Sequence, residues 1–298
     1  MTPTPVRKKT FHRNRTNIYD AIIWVVIVTL ALLTLYPFIY TLAGSFNDGQ
    51  DFLFGGVWLY PRKFSLANYH VVLSDPRFWV ALRNSVLRTS IGTVLAVVFT
   101  SCVAYGMSQK ELRFKKFFRI AMILTLFFSG GLVPYYLMIN LVGLFDSFLV
   151  YIIPTMFSVY NMIIIGVFFR SIPEEIHEAA VMDGAGEYRI WWSIYMPNSK
   201  PVLATVGLWV IVGHWNSYMP TLLFTSRKES LWTLQYYLMR VIRDSSLPEG
   251  IEGQLAEQIT PQTVSFAAMV IVMLPLLLLY PWLQKYFVKG ALGGSLKQ

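Results

Sequence analysis

Six long apolar runs dominate this sequence, and each has about as many residues as a helix needs to cross a bilayer, roughly 20. The runs cover residues 17–42, 82–107, 118–140, 148–169, 202–225 and 263–288. A backbone surrounded by lipid must satisfy its hydrogen bonds internally, so runs of this length favour transmembrane α-helices. We therefore predict an all-α, polytopic membrane protein with six transmembrane helices.

The composition agrees with a lipid environment. Only 14% of the residues are charged and 55% are hydrophobic, whereas soluble domains contain about 25% charged residues. The formal net charge of +9 would suit a nucleic-acid-binding protein, but lysine and arginine lie in short groups beside the apolar runs. We interpret these groups as membrane topology signals and expect membrane lipid, and no nucleic acid, among the partners.

The positions of the basic residues also predict the orientation. Lysine and arginine are concentrated before the first run, in the turn 108–117, in the stretch 170–201 and after the last run. Basic loops stay in the cytoplasm, so both termini are predicted to be cytoplasmic. The predicted organisation is a basic N-terminal segment at 1–16, a membrane domain at 17–288 and a cytoplasmic tail at 289–298.

A cleaved secretory signal is the alternative interpretation of the first run. The apolar core of such a signal has only about 7 to 15 residues and ends in a small-residue cleavage site. This run is longer and ends in Tyr36-Pro37-Phe38. We therefore predict an uncleaved first helix.

Arg83 and Arg88 are exceptions to the near absence of charge within the runs. A charge at the centre of a transmembrane helix costs about 2.5 to 3.5 kcal/mol on insertion scales. Both arginines fall at the predicted outer end of the second helix. We predict that they snorkel to the outer headgroups, and contact with a substrate is the alternative.

The stretch 170–201 carries clear helix signals. Ser171 is predicted to cap a helix whose early turn contains Glu174 and Glu175, which the positive end of a helix dipole favours. Gly184 is predicted to end this helix in the left-handed conformation. A second helix should run over 187–195 and stop at Pro197. The sequence therefore predicts an exposed cytoplasmic helix-turn-helix.

At these residues the chain resembles the permease subunits of ATP-binding-cassette importers. The matching residues are Glu178-Ala179-Ala180, Asp183-Gly184-Ala185, Met196-Pro197 and Pro201. Met196 stands where leucine is usual, and this exchange conserves volume. The segments 128–135, 215–220 and 286–297 look like the oligosaccharide branch, which includes maltose-importer permeases. The resemblance therefore extends over nearly the whole chain.

The resemblance implies a type I importer fold in a bacterial inner membrane. It also implies a second homologous permease subunit, two ATP-binding-cassette ATPase subunits, an extracytoplasmic solute-binding protein and a sugar or oligosaccharide substrate. The loop residues that would couple this chain to the ATPase are Glu178, Ala179, Ala180, Asp183, Gly184 and Ala185. ATP and Mg²⁺ would bind to the partner subunits, and this chain would bind no cofactor.

A helix lying on the membrane surface is the alternative for the coupling segment. Such helices are rich in lysine and arginine, whereas this one opens with Glu174, Glu175 and Glu178. Anionic lipid would repel these carboxylates. We therefore predict docking to the ATPase.

Other functional classes lack their expected residues in this sequence. A Walker A loop needs a Gly-Lys pair, which the chain does not contain, and no hydrolase or metalloprotease motif occurs. Ion-driven transporters usually carry acidic residues deep in their spans, and none is found here. We predict no catalytic, cofactor or metal site. A secondary transporter, a membrane-embedded enzyme, and a permease for amino acids or peptides remain alternatives.

A path for an uncharged sugar needs hydroxyl-matching groups and aromatic faces. The mid-span residues of this kind are His214, Trp215, Asn216, Tyr218 and Asn161. The alternative is hydrogen bonding between helices, worth about 0.6 to 2 kcal/mol. Both interpretations stay open for Trp215 and Asn216, and we favour the structural one for the other three.

Overall fold

The computed structural model describes residues 18–128, 130–244 and 258–295, and side chains as far as Leu278. The predicted N-terminal segment 1–16 and the last residues of the predicted tail, 296–298, lie outside the described residues. Within these ranges the chain is helical, and its one β-bridge joins Asn47 and Phe64. The helices are α1 (Ile18–Ser45), α2 (Gly49–Leu53), α3 (Ala67–Ser74), α4 (Pro76–Ser108), α5 (Lys115–Phe127), α6 (Leu132–Leu141), α7 (Val159–Arg170), α8 (Glu174–Met182), α9 (Glu187–Ile190), α10 (Met196–Asn198), α11 (Lys200–Asn216), α12 (Leu234–Asp244) and α13 (Pro261–Ser295).

Three described helices are long and apolar enough to cross a membrane by themselves. They are Tyr19–Ser45 in α1, Pro76–Ser108 in α4 and Pro261–Leu278 in α13. Two bent helix pairs raise the number to five, if each pair is one span. Helix α11 has 17 residues. It begins two residues before the fifth predicted run and covers the first part of that run.

Three predicted spans are interrupted, which corrects the expectation of continuous helices over 118–140, 148–169 and 202–225. The axes of α5 and α6 differ by 118°, and the 3-10 segment Phe148–Thr155 meets α7 at 47°. After α11 the chain continues into a π-helical turn over Thr221–Thr225. Each of these three predicted runs therefore consists of two shorter helical segments.

Local backbone chemistry accounts for these interruptions. Gly131 before α6 has a φ of +81°, a conformation that glycine adopts without steric cost. Ser158 begins α7 by accepting a hydrogen bond from the Asn161 amide. Ser217 is extended at the end of α11, and Pro220 has no N–H to donate to a continuing helix. The start of α4, six residues before the predicted one, follows from the Asp75 carboxylate that accepts the Arg77 N–H at 2.9 Å.

Helix α4 connects two clusters of buried side chains. Near α8, Tyr105 of α4 packs with Phe169 of α7 and Val206 of α11. At the other end, Phe78 of α4 packs with Tyr237 of α12 and with residues of α3 and α13. We call these two ends of the bundle the α8 end and the α12 end.

Helix α1 adds little to either cluster. None of the residues in its most apolar window is buried in this chain. Its last turns contact α13, where Gly44 lies so close to the Phe266 ring that a Cβ atom would be 2.5 Å from it. The remaining apolar surface needs lipid or another membrane protein to cover it.

Candidate functional site

Helix α8 forms an exposed projection at the α8 end of the bundle. All of its nine residues are described, and none of them is buried. The helix begins after Pro173, and Glu174 and Glu175 occupy its first turn as predicted. The predicted Ser171 cap is wrong, because Ser171 is the C-cap of α7 and its hydroxyl donates to the Phe168 carbonyl. The dipole of α8 still favours the two carboxylates at its start.

Gly184 ends α8 in the left-handed conformation, which confirms the predicted turn. Its φ is +77°. Its N–H donates to the Val181 carbonyl at 2.9 Å, and the Ala185 N–H donates to the Ala180 carbonyl at 3.0 Å. No atom lies within 4 Å of the position that a Cβ would take. The requirement for glycine therefore comes from the backbone angle and not from crowding.

The second helical segment is longer than predicted. A π-helical turn over Trp191–Tyr195 follows α9, and α10 continues to Asn198. Pro197 does not stop it, because the backbone stays helical through α10 to Asn198. The Ser199 N–H donates to the Tyr195 carbonyl at 3.1 Å and keeps the turn closed. The chain therefore passes into α11 with only a short interruption.

The six predicted coupling residues divide by exposure. Glu178, Ala179, Asp183 and Gly184 are exposed, whereas Ala180 and Ala185 are half-buried and pack against the cluster at the α8 end. Small side chains at these two positions let α8 approach the bundle closely. The structure thus brings the six residues together on one projection with an exposed and a packed face.

Polar contacts attach this projection to α4. The Tyr105 hydroxyl donates to the Glu187 carboxylate, and Lys110 forms an ion pair with Glu174. The hydrogen bond to Glu174 raises the pKa of Lys110. The Tyr105 and Tyr195 rings also meet edge to face, with centroids 4.8 Å apart. These contacts hold the projection against the end of α4.

A second feature is the interruption after Asn216 in α11. Trp215 is 5% exposed, and its Nε1–H donates to the Val272 carbonyl of α13 at 3.1 Å. His214 is also 5% exposed and packs on Gly92, where a Cβ atom would lie 2.5 Å from the His214 Nε2. The structure therefore puts both predicted path residues in the helix packing.

Arg88 supports this interruption from α4. Its side chain is 2% exposed, so the predicted snorkelling is wrong for Arg88, while Arg83 is exposed as snorkelling requires. The Arg88 Nη1 donates to the Ser217 carbonyl at 2.8 Å, and the guanidinium lies 4.9 Å from the centroid of the Tyr151 ring. A cation at the carboxyl end of a helix interacts favourably with its dipole. Arg88 thus holds the end of α11 in place.

The other predicted path residues lie at or near the surface of this chain. Asn216 and Tyr218 are exposed, Asn161 is half-buried, and the Asn216 Oδ1 accepts a hydrogen bond from the Gln235 amide at 3.2 Å. Trp209 is exposed as well and pairs with the Tyr160 ring at 5.9 Å between centroids. We call Trp209, Asn216 and Tyr160 the exposed stripe.

The sequence interpretation missed Trp209. It precedes Asn216 by seven residues, which is about two helical turns and returns to the same face of α11. That spacing, together with the aromatic side chain in mid-span, was the signal that could have identified it.

Comparisons with known proteins show the family of this chain. The family model for binding-protein-dependent transport system inner membrane components matches residues 78–292. The chain is 33% identical to the polygalacturonan/rhamnogalacturonan transport system permease protein YtcP of Bacillus subtilis, over 95% of this chain and 99% of that protein. It is 30% identical to the trehalose/maltose transport system permease protein MalG of Thermococcus litoralis, over 91% and 94% of the two chains.

A solved structure has the same fold. It is the crystal structure of a bacterial ABC transporter involved in the import of the acidic polysaccharide alginate. One of its chains superposes with a TM-score of 0.87 at 32% identity, and the match covers 94% of this chain and 100% of that one. The family match at residues 78–292 spans α8 and the interruption after α11.

Proposed function

This chain is a binding-protein-dependent transport system inner membrane component, a permease subunit of an ATP-binding-cassette importer, and we propose that it couples ATP hydrolysis to oligosaccharide uptake through α8. In this family the ATPase activity resides in separate subunits. The observation that carries the proposal is the exposed α8, aimed by the left-handed Gly184 and attached to α4 by Tyr105 and Glu187. A helix with this arrangement can receive movement from a docked protein and pass it to a span.

The partners follow from the surfaces that this chain leaves uncovered. Two ATPase subunits that carry ATP and Mg²⁺ dock on α8 and on the equivalent helix of a second, related permease subunit. The apolar face of α1 has no cover within the described residues, and a second permease or lipid supplies it. An extracytoplasmic binding protein delivers the substrate at the α12 end. This orientation puts the α8 end and both termini in the cytoplasm.

An oligosaccharide is the substrate class that the residues and the relatives support together. The exposed stripe offers two aromatic rings and an amide, which suit the C–H faces and hydroxyls of sugars. The relatives are named for polygalacturonan, rhamnogalacturonan, trehalose and maltose, and the solved neighbour for alginate. None of these supports the amino-acid, peptide or ion-driven alternatives. A screen of oligosaccharides against the cognate binding protein tests the substrate class, and exclusive binding of amino acids or peptides would contradict it.

Substitutions in α11 separate transport from packing. We expect Trp209→Ala and Asn216→Ala to lower uptake about tenfold, while the amount of assembled complex in the membrane stays unchanged. Trp215→Ala should instead reduce the amount of complex, because truncating a buried tryptophan costs roughly 3 to 5 kcal/mol. Uptake of labelled oligosaccharide and yield of purified complex are the two measurements. Loss of assembly in the Trp209 and Asn216 variants would assign the exposed stripe to subunit packing.

A further inference from the structure

A pocket of about 870 Å³ lies between the end of α4 and the α8 projection. We call it the α4–α8 pocket. Its lining includes apolar side chains such as Leu112, Val181 and Met182, and the only cysteine, Cys102. The volume lies in the range of ligand-binding pockets, about 300 to 1,000 Å³. It is large enough for several side chains of another protein.

The lining contains buried polar atoms that have no hydrogen-bond partner among the described residues, including one on Trp191 and one on His177. Trp191 is 6% exposed, and its Nε1–H finds no acceptor. The Nδ1 of His177 is also unpaired. Buried donors in native proteins are almost always satisfied. A group that offers hydrogen-bond acceptors is therefore expected beside Trp191.

The pocket is also acidic. Glu111, Glu174, Glu178 and Glu187 line it together with a single lysine, Lys110. Leaving His177 aside, four negative charges and one positive charge give a net charge of −3. Lys110 pairs with Glu174, whereas Glu111 and Glu178 have no ion pair within the described part of the chain. A complementary occupant carries positive charge, and the pocket would repel a phosphate or a uronate.

We propose that the α4–α8 pocket receives a segment of the ATPase subunit that carries lysine or arginine. The apolar stem of such a side chain fits against Val181 and Met182, and its charged head reaches Glu111 and Glu178. A backbone carbonyl of the same segment accepts the Trp191 Nε1–H. Residues of α8 form one wall of the pocket, so a protein docked on α8 lies at its mouth. In this arrangement α8 docks on the ATPase, and the permease also receives a segment of the ATPase in its own pocket. This inference rests on the proposed function.

Cys102 provides a native probe of occupancy. The experiment uses the complete complex with cysteine-free partner subunits, and a maleimide applied from the cytoplasmic side. We expect Cys102 to react at least tenfold more slowly with the ATPase bound than in the permease pair alone. An unchanged rate would overturn the proposal. Protection that persists without the ATPase and disappears on deletion of residues 1–16 would assign the pocket to the N-terminal segment, and would overturn it too.

Three variants test whether the segment enters the pocket. Glu111→Lys should weaken ATPase binding about tenfold or more, as expected for breaking a desolvated charge pair. Glu175→Lys makes the same charge change on α8 outside the pocket and should have a much smaller effect. Trp191→Phe keeps the ring and removes the N–H, and should weaken ATPase binding several-fold without loss of the permease pair. Equal effects of the two lysine variants, together with normal binding by the phenylalanine variant, would contradict insertion.

ATP-dependent uptake by the wild-type complex is measured in parallel. If uptake proceeds while Cys102 stays unprotected, the pocket proposal fails and the proposed function stands. If the ATPase does not bind the wild-type permease pair at all, the proposed function fails as well.

Discussion

The Gly184→Val variant is expected to insert normally and to lose at least nine-tenths of ATP-dependent uptake. Gly184 has a φ of +77°, and the left-handed conformation costs a residue with a Cβ roughly 1 to 2 kcal/mol, more when it is β-branched. Nothing lies near the missing Cβ, so the variant acts through the backbone alone. The turn that sets α8 against α9 should open, and the ATPase would then lose its docking surface. Co-purification of the ATPase and uptake in vesicles measure both effects.

Two matched variants make the Gly184 result specific. Gly184→Asn should retain most activity, because asparagine tolerates the left-handed conformation. Gly186→Ala should be nearly neutral, since Gly186 has a φ of −73° and open space at its Cβ position. If Gly184→Val retained full ATP-dependent uptake, α8 would not couple the ATPase to transport.

Glu178→Lys tests the same projection through charge. Glu178 is exposed on α8 and has no ion pair within the described residues. Removing one partner of a desolvated charge pair costs about 2 to 5 kcal/mol, so this variant should release the ATPase from the membrane complex. Retention of the ATPase with normal uptake would show that Glu178 has no charged partner.

Arg88→Ala is expected to reduce the amount of folded permease, whereas Arg83→Ala should leave it unchanged. Arg88 is buried and donates to the Ser217 carbonyl, while Arg83 is exposed in the same helix. Loss of a hydrogen bond from a charged group costs about 1.5 to 3 kcal/mol, and the truncated side chain leaves a cavity. Thermal stability and yield of the purified complex are the measurements. Normal assembly of Arg88→Ala with complete loss of uptake would instead indicate contact with an anionic substrate.

The two arginines show what hydropathy can predict. Both lie in one apolar run, and snorkelling is a reasonable expectation for each when only the run is considered. The difference arises from a carbonyl 129 positions away from Arg88, at the interrupted end of α11. A contact over that separation has no signal in the local sequence. The burial of Arg88 could therefore be recognised only from the structure.

The interrupted spans have a similar explanation. Hydropathy measures the tendency of residues 118–140, 148–169 and 202–225 to enter lipid, and does not report the path of the backbone. Gly131 and Pro220 were visible signals for two of the interruptions, but glycine and proline are also tolerated within continuous transmembrane helices. The turn after α8 was predictable because a glycine just past the end of a helix commonly takes the left-handed conformation, and Gly184 follows the C-cap Asp183. The prediction that Ser171 caps α8 was wrong because serine also occurs at the carboxyl end of helices, and here it is the C-cap of α7.

ATP-dependent uptake in proteoliposomes tests the central claim most directly. The complete complex, with this chain, its permease partner, the ATPase and the loaded binding protein, is reconstituted without an ion gradient, and accumulation of labelled oligosaccharide is measured. We predict uptake that requires ATP, is stimulated by the loaded binding protein and disappears in Gly184→Val. Uptake that proceeds without ATP and follows an imposed ion gradient would contradict the account.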